Sequence, residues 1–150
     1  MSLKLPEEIF SITDSQSFET TALKIFRLQA KECPVYSEYL QLIGTDADSI
    51  SDILSVPFMP VSFFRDHTVF TGEGSPERIF TSSGTAGMRL SHHSVRNMAL
   101  YNESLERTFR LFYGDPSEYA IMGLLPSYLE REGSSLIYMV QRLMTLSGNS

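Results

Sequence analysis

The chain has 150 residues, 42% hydrophobic and 11% aromatic, which fits one compact domain with an ample core. Its net charge of −6 argues against nucleic acid as a partner, because phosphate backbones want a basic face. A single cysteine, Cys33, excludes an internal disulfide and a Cys-based zinc site, and no apolar run approaches the ~18 residues of a membrane span.

The opening MSLKLPEEIF places Pro6, Glu7 and Glu8 where a secretory signal wants an apolar core. A cytoplasmic protein is expected, and the lone thiol suits a reducing compartment. Phe18, Ala22, Ile25, Phe26 and Gln29 then fall at helical spacing, after capping residues between Asp14 and Ser17. Cys33 reads as a half-buried structural thiol rather than a nucleophile. Pro34 suits a first helical turn, and Val35, Tyr36, Tyr39, Leu40 and Ile43 make a stripe ending at Gly44. Core packing is the preferred role for these aromatics.

Residues 55–66, SVPFMPVSFFRD, carry two prolines three apart among large apolar side chains, which predicts an irregular packed connector. Thr68–Phe70 is a candidate short strand, and TGEGSP at 71–76 is a turn or loop. Arg78–Thr81 reads as a strand. From about Ser94 to Tyr113 the pattern is helical, with Met98, Tyr101, Leu105, Phe109 and Phe112 on one face and stop signals at Gly114 and Pro116. Tyr119–Leu125, YAIMGLL, has the look of a buried strand, and Ser134–Leu146 that of a last helix. Strands and helices alternate in the second half, so the fold class is α/β: a helical region of about 1–54 packed on an α/β part of about 55–150.

Between the first strand and the long helix lies FTSSGTAGMRLSHHS. Gly84 and Gly87 permit positive φ, so successive N–H groups can point into one concavity, and Ser82, Ser83 and Thr85 add hydroxyl donors. Arg89, Arg96, Arg107 and Arg110, with His92 and His93 among them, leave room for a local anion site. The spacing is neither that of a Walker A loop, since Met88 follows Gly87, nor the G-x-G-x-x-G of a dinucleotide fold. On composition alone a phosphate cradle and a flexible surface turn stand about even.

"IFTSSGTAGMRLSHH" resembles the phosphate-binding loop of the AMP-forming acyl-activating enzymes. The doubled Ser82-Ser83 is similar to the branch containing phenylacetate–CoA ligase and the acyl-protein synthetases (long-chain-fatty-acid–luciferin-component ligases) of bacterial luminescence. "VPFMPVSFF" at 56–64 is similar to the connector preceding that loop. "LLPSYLEREGSSLIYM" at 124–139 is similar to the acyl-protein synthetase version of the next motif, and "ALKIFRLQAKECPVYSEYL" at 22–40 resembles the same family. The resemblance spans nearly the whole chain, with the motifs in family order.

It implies a helical N-terminal region on the start of a mixed-sheet adenylate-forming domain, and a hairpin in which Met88–His92 forms the second strand. The implied activity is an acid–thiol ligase: ATP, bound with Mg²⁺ through its phosphates, activates a fatty acid to acyl-AMP, and the acyl group passes to a protein thiol. An acyl-transferase or reductase could be the protein partner. CoA enters only in the phenylacetate-type alternative, and a non-catalytic nucleotide- or partner-binding homologue is a further one. The implied phosphate donors are Ser82, Ser83, Gly84, Thr85 and Gly87. Tyr128, Glu130, Arg131, Ser134 and Ser135 would line the acyl-adenylate pocket, although the two serines could equally cap the last helix. No catalytic residue or metal ligand is assigned. Where the family loop carries a second threonine, this chain has Ala86. Enzymes of the family are longer than this chain, so the parts that hold adenine and ribose, and the acyl-accepting cysteine, are expected beyond Ser150. The 150 residues alone would then be incomplete and inactive.

Overall fold

A computed structural model describes residues 5–82, 89–125 and 133–149. It divides into two compact units, Met1–Ser75 and Pro76–Ser150.

The first unit is helical: α1 (Leu5–Ile9), α2 (Ser15–Glu32), α3 (Pro34–Leu42) and α4 (Phe63–Asp66). Asp14 starts α2 through a capping box. Its carboxylate accepts from the Ser17 N–H at 2.7 Å, while the Ser17 hydroxyl accepts from the Asp14 N–H at 3.2 Å. The same Ser17 bonds hold the Asp14 carboxyl below its ordinary pKa. Pro34 occupies the first turn of α3 as expected. That helix ends in a Schellman motif, with Gly44 at φ +68 and bonds from Gly44 N–H to Gln41 C=O and from Thr45 N–H to Leu40 C=O. The aromatics do pack: Phe26, Ala30, Cys33, Tyr36 and Leu40 form the buried core. Cys33 is more deeply buried than expected, at 2% exposure.

The connector is irregular from Val56 to Ser62, around its prolines, but its end, Phe63–Asp66, is α4; α3 fastens the irregular part. The Tyr36 hydroxyl donates to the Pro57 C=O at 2.6 Å, and the Tyr39 hydroxyl to the Phe58 C=O at 3.3 Å. Val56 and Met59 pack on the helical core. Thr68–Phe70 is not a strand; Val69 instead packs against that core without a strand partner.

The second unit holds a two-stranded antiparallel sheet, β1 (Arg78–Thr81) and β2 (His92–Val95), then α5 (Met98–Tyr113) and α6 (Ser135–Ser147). A hairpin is present, but its second strand is His92–Val95 and not Met88–His92, because the end of β1, Thr81, pairs with His92. Accordingly α5 starts later than its periodicity suggests, because Ser94 and Val95 pair with Ile79 and Arg78. Asn97 caps α5 by accepting from the Leu100 N–H at 2.9 Å, and the Glu77 carboxylate accepts from the Met98 N–H at 2.7 Å. Phe112 does not join the packed face and is 72% exposed. Polar pairs tie α6 to α5: the Tyr138 hydroxyl donates to Asn102 Oδ1 at 2.7 Å, and the Arg142 guanidinium to Glu106 at 2.7 Å.

Tyr119–Leu125 forms no strand. Its side chains still alternate: Ile121 and Leu125 are half-buried, whereas Met122 and Leu124 are exposed. Gly123 lies so close to α6 that a Cβ there would meet Val140 Cγ1 at 2.9 Å. Among the described residues, the backbone groups of Ala120 to Leu125 make no hydrogen bond. Apolar composition favours a strand, but a strand needs a neighbour to pair with.

Tyr36→Phe removes one satisfied buried hydroxyl and should cost about 1 kcal/mol in urea unfolding, leaving the helical circular dichroism unchanged. Asp115, held by the Ser117 N–H, the Arg110 guanidinium and the Ser117 hydroxyl, has its pKa lowered from 3.8 to about 2. The stability this confers is complete above pH 3.8 and is lost as pH falls through about 2. Asp115→Asn should therefore flatten the acid limb of a stability–pH profile in that window and leave its neutral limb parallel to wild type.

Candidate functional site

β1 carries the chain to the glycine-rich loop, and β2 receives it. Beyond the strand pairs the two arms stay joined: the Ser82 N–H donates to the Ser91 C=O at 3.0 Å, and the Ser91 N–H donates to Ser82 Oγ at 3.0 Å. Ser82 Oγ thus accepts at the hairpin neck while its own O–H remains a donor. Ser83, Gly84, Thr85 and Gly87 lie outside the described residues, as does Ala86.

The second motif returns to the same place. The Thr81 N–H donates to the Gly133 C=O at 2.8 Å. Gly133 sits at φ +102, and a Cβ on it would meet Thr81 Oγ1 at 2.8 Å, so only glycine permits this approach. α6 begins two residues later with no acidic side chain in its first turn. The positive end of its dipole therefore belongs to the segment that is bonded to the loop's entry strand. Ser134 has the capping role: its Oγ accepts from the Ile137 N–H at 3.4 Å. Ser135 is the first residue of α6 and half-buried. Tyr128, Glu130 and Arg131 lie outside the described residues.

Beneath the hairpin neck Phe80, 3% exposed, meets Tyr101 and Tyr138 with ring centroids 5.2 and 5.5 Å away. Burial, then the proximity of Tyr138, raises the Tyr101 pKa. The Arg78 guanidinium stacks 4.7 Å from the Tyr138 ring centroid and 5.4 Å from that of Phe80. The arginines of α5 pair with carboxylates, Arg107 with Glu103 at 2.7 Å and Arg110 with Asp115. Among the described residues no group of three or more His, Cys, Asp or Glu could hold a metal ion, and no helix is long and apolar enough to cross a membrane.

Comparison with protein-family models, with curated proteins and with solved structures finds no match to this chain. The site therefore stands on its own geometry. The resemblance implied a hairpin and the residue pattern offered Ser134 as a cap, but neither singled out Gly133. The available signal was a glycine placed just before a serine cap, where the chain turns from one motif into a helix.

Gly133→Ala should destabilise the protein by about 1–3 kcal/mol through backbone strain, with the Thr81 contact added. Gly114→Ala, at φ +88 with nothing within 4 Å, carries strain alone. Urea unfolding of both variants should find Gly133→Ala the more damaging.

Proposed function

We propose that this chain carries the ATP-phosphate loop of an AMP-forming acyl-activating enzyme of the acyl-protein synthetase type. Such an enzyme converts a fatty acid and ATP to acyl-AMP and pyrophosphate, then passes the acyl group to a protein thiol. The observation that supports this reading best is the Thr81–Gly133 hydrogen bond, which joins the strand entering one motif to a residue inside the other. Two segments singled out separately for one site share a backbone contact.

The chemistry sets one anion against another. The carboxylate must meet the α-phosphorus in line while charge grows on the phosphate oxygens and the leaving pyrophosphate. Donors fixed in advance offset that charge without reorganising. In this reading the Ser82 hydroxyl, held at the neck by Ser91, is one such donor, and Ser83, Gly84, Thr85 and Gly87 supply the rest. The α6 N-terminus adds a favourable dipole for a phosphate or carboxylate. Mg²⁺ would arrive on the phosphates of ATP and neutralise part of their charge. An acyl-transferase or reductase that accepts the acyl group is part of the same proposal.

The test is ATP–pyrophosphate exchange with tetradecanoate, using the protein that carries this sequence. Exchange should depend on the fatty acid. Thr85→Ala should lower it about 10²-fold, the loss expected for one transition-state donor, and Ala86→Thr should raise it. Absence of exchange across a range of fatty acids would overturn the reading, and acyl-CoA formation on adding CoA would replace the protein acceptor with CoA.

A further inference from the structure

The helical unit contains a cavity of about 510 Å³ that the site above does not use. Its size is that of a small-molecule pocket. Its depth can be read from exposure. Phe26, Cys33 and Tyr36, at 4%, 2% and 8%, form the floor, whereas Phe18 and Phe58, at 51% and 85%, stand at the mouth.

The lining chemistry narrows the occupant. The walls between floor and mouth include Ala22 on α2 and Met59 on the connector. The polar groups of the floor are already satisfied: the Tyr36 hydroxyl by the Pro57 C=O and the Cys33 N–H by the Gln29 C=O. Water held there would find few partners. A purine or another heterocycle would bury ring nitrogens without matching groups, at a cost of roughly 1–3 kcal/mol each. The Gln29 side chain is exposed, so a polar head could stay in solvent beside it. Burial also pushes the Tyr36 phenol pKa up, as a dry floor requires.

We infer that this cavity binds the alkyl chain of an amphiphile, with the tail on Cys33 and Tyr36 and the head group at the mouth. The inference does not rest on the acyl-activating reading. Its walls belong wholly to the first unit, and its test contains no ATP.

Cys33 is the only cysteine of the chain, so thiol labelling reports on the floor alone. Butyl methanethiosulfonate, which is small and apolar, should modify the folded protein at Cys33. The negatively charged sulfonatoethyl reagent should react far more slowly. With 1-decanol or decanoate at about ten times its Kd, modification by the butyl reagent should slow about tenfold, since it needs a vacant pocket. In Ala22→Phe the added ring occupies the same space. Decanol should then give little further protection, while the helical circular dichroism stays that of wild type. A Cys33 rate unaffected by decanol in the folded wild type overturns the proposal, as does equal labelling by the charged and apolar reagents. Protection that survives unchanged in a folded Ala22→Phe moves the ligand out of this cavity and overturns it as well.

Discussion

The second unit depends on one backbone hydrogen bond that only a glycine allows. The Thr81 N–H reaches the Gly133 C=O at 2.8 Å because nothing projects from the Gly133 α-carbon toward Thr81 Oγ1. With that bond made, β1 and the entry to α6 are neighbours. Phe80, one residue earlier, then faces Tyr138, three residues inside α6, and Tyr101 closes the group from α5. The polar pairs Tyr138–Asn102 and Arg142–Glu106 extend the same α5–α6 contact along the helices. The loop is thus anchored on both sides of its neck, by Ser91 across the hairpin and by Gly133 from the second motif.

The first unit is organised differently. Its core is a short run of α2 and α3 side chains, and its irregular segment is fixed by hydroxyls. A chain with prolines at 57 and 60 cannot offer a full set of backbone donors, so its carbonyls take donors from elsewhere. Tyr36 and Tyr39 supply them to consecutive carbonyls from one face of α3. Cys33 belongs to that core and also lines the floor of the apolar cavity beside it.

Local signals carried far in the sequence. The Asp14–Ser17 cap, Pro34, Gly44, Gly114 and Pro116 each act within a few residues, and each marks a real helix boundary. Non-local partners were illegible. Periodicity extended α5 back to Ser94 because the helical pattern does not record that Ser94 and Val95 are paired with β1. YAIMGLL has a strand's composition, yet composition does not supply the adjacent strand. At the site, the residue pattern showed β1 but left a hairpin and a loop entering a helix both open; the resemblance chose the hairpin, and the register that puts β2 at His92–Val95 was not legible. The Thr81–Gly133 contact joins residues far apart in the chain, and the sequence marks only one side of it, with a glycine.

Residues 120–125 add a different consequence. Among the described residues their backbone groups make no hydrogen bond, the segment is uncharged, and Met122 and Leu124 are 88% and 102% exposed. Such an edge is a template for another strand. Soluble folds usually guard it with lysine, proline or a bulge; none of these falls between Ala120 and Leu125, and Pro126 follows directly. Two exposed apolar side chains on an uncharged stretch favour association at high concentration, against which the net charge of −6 acts.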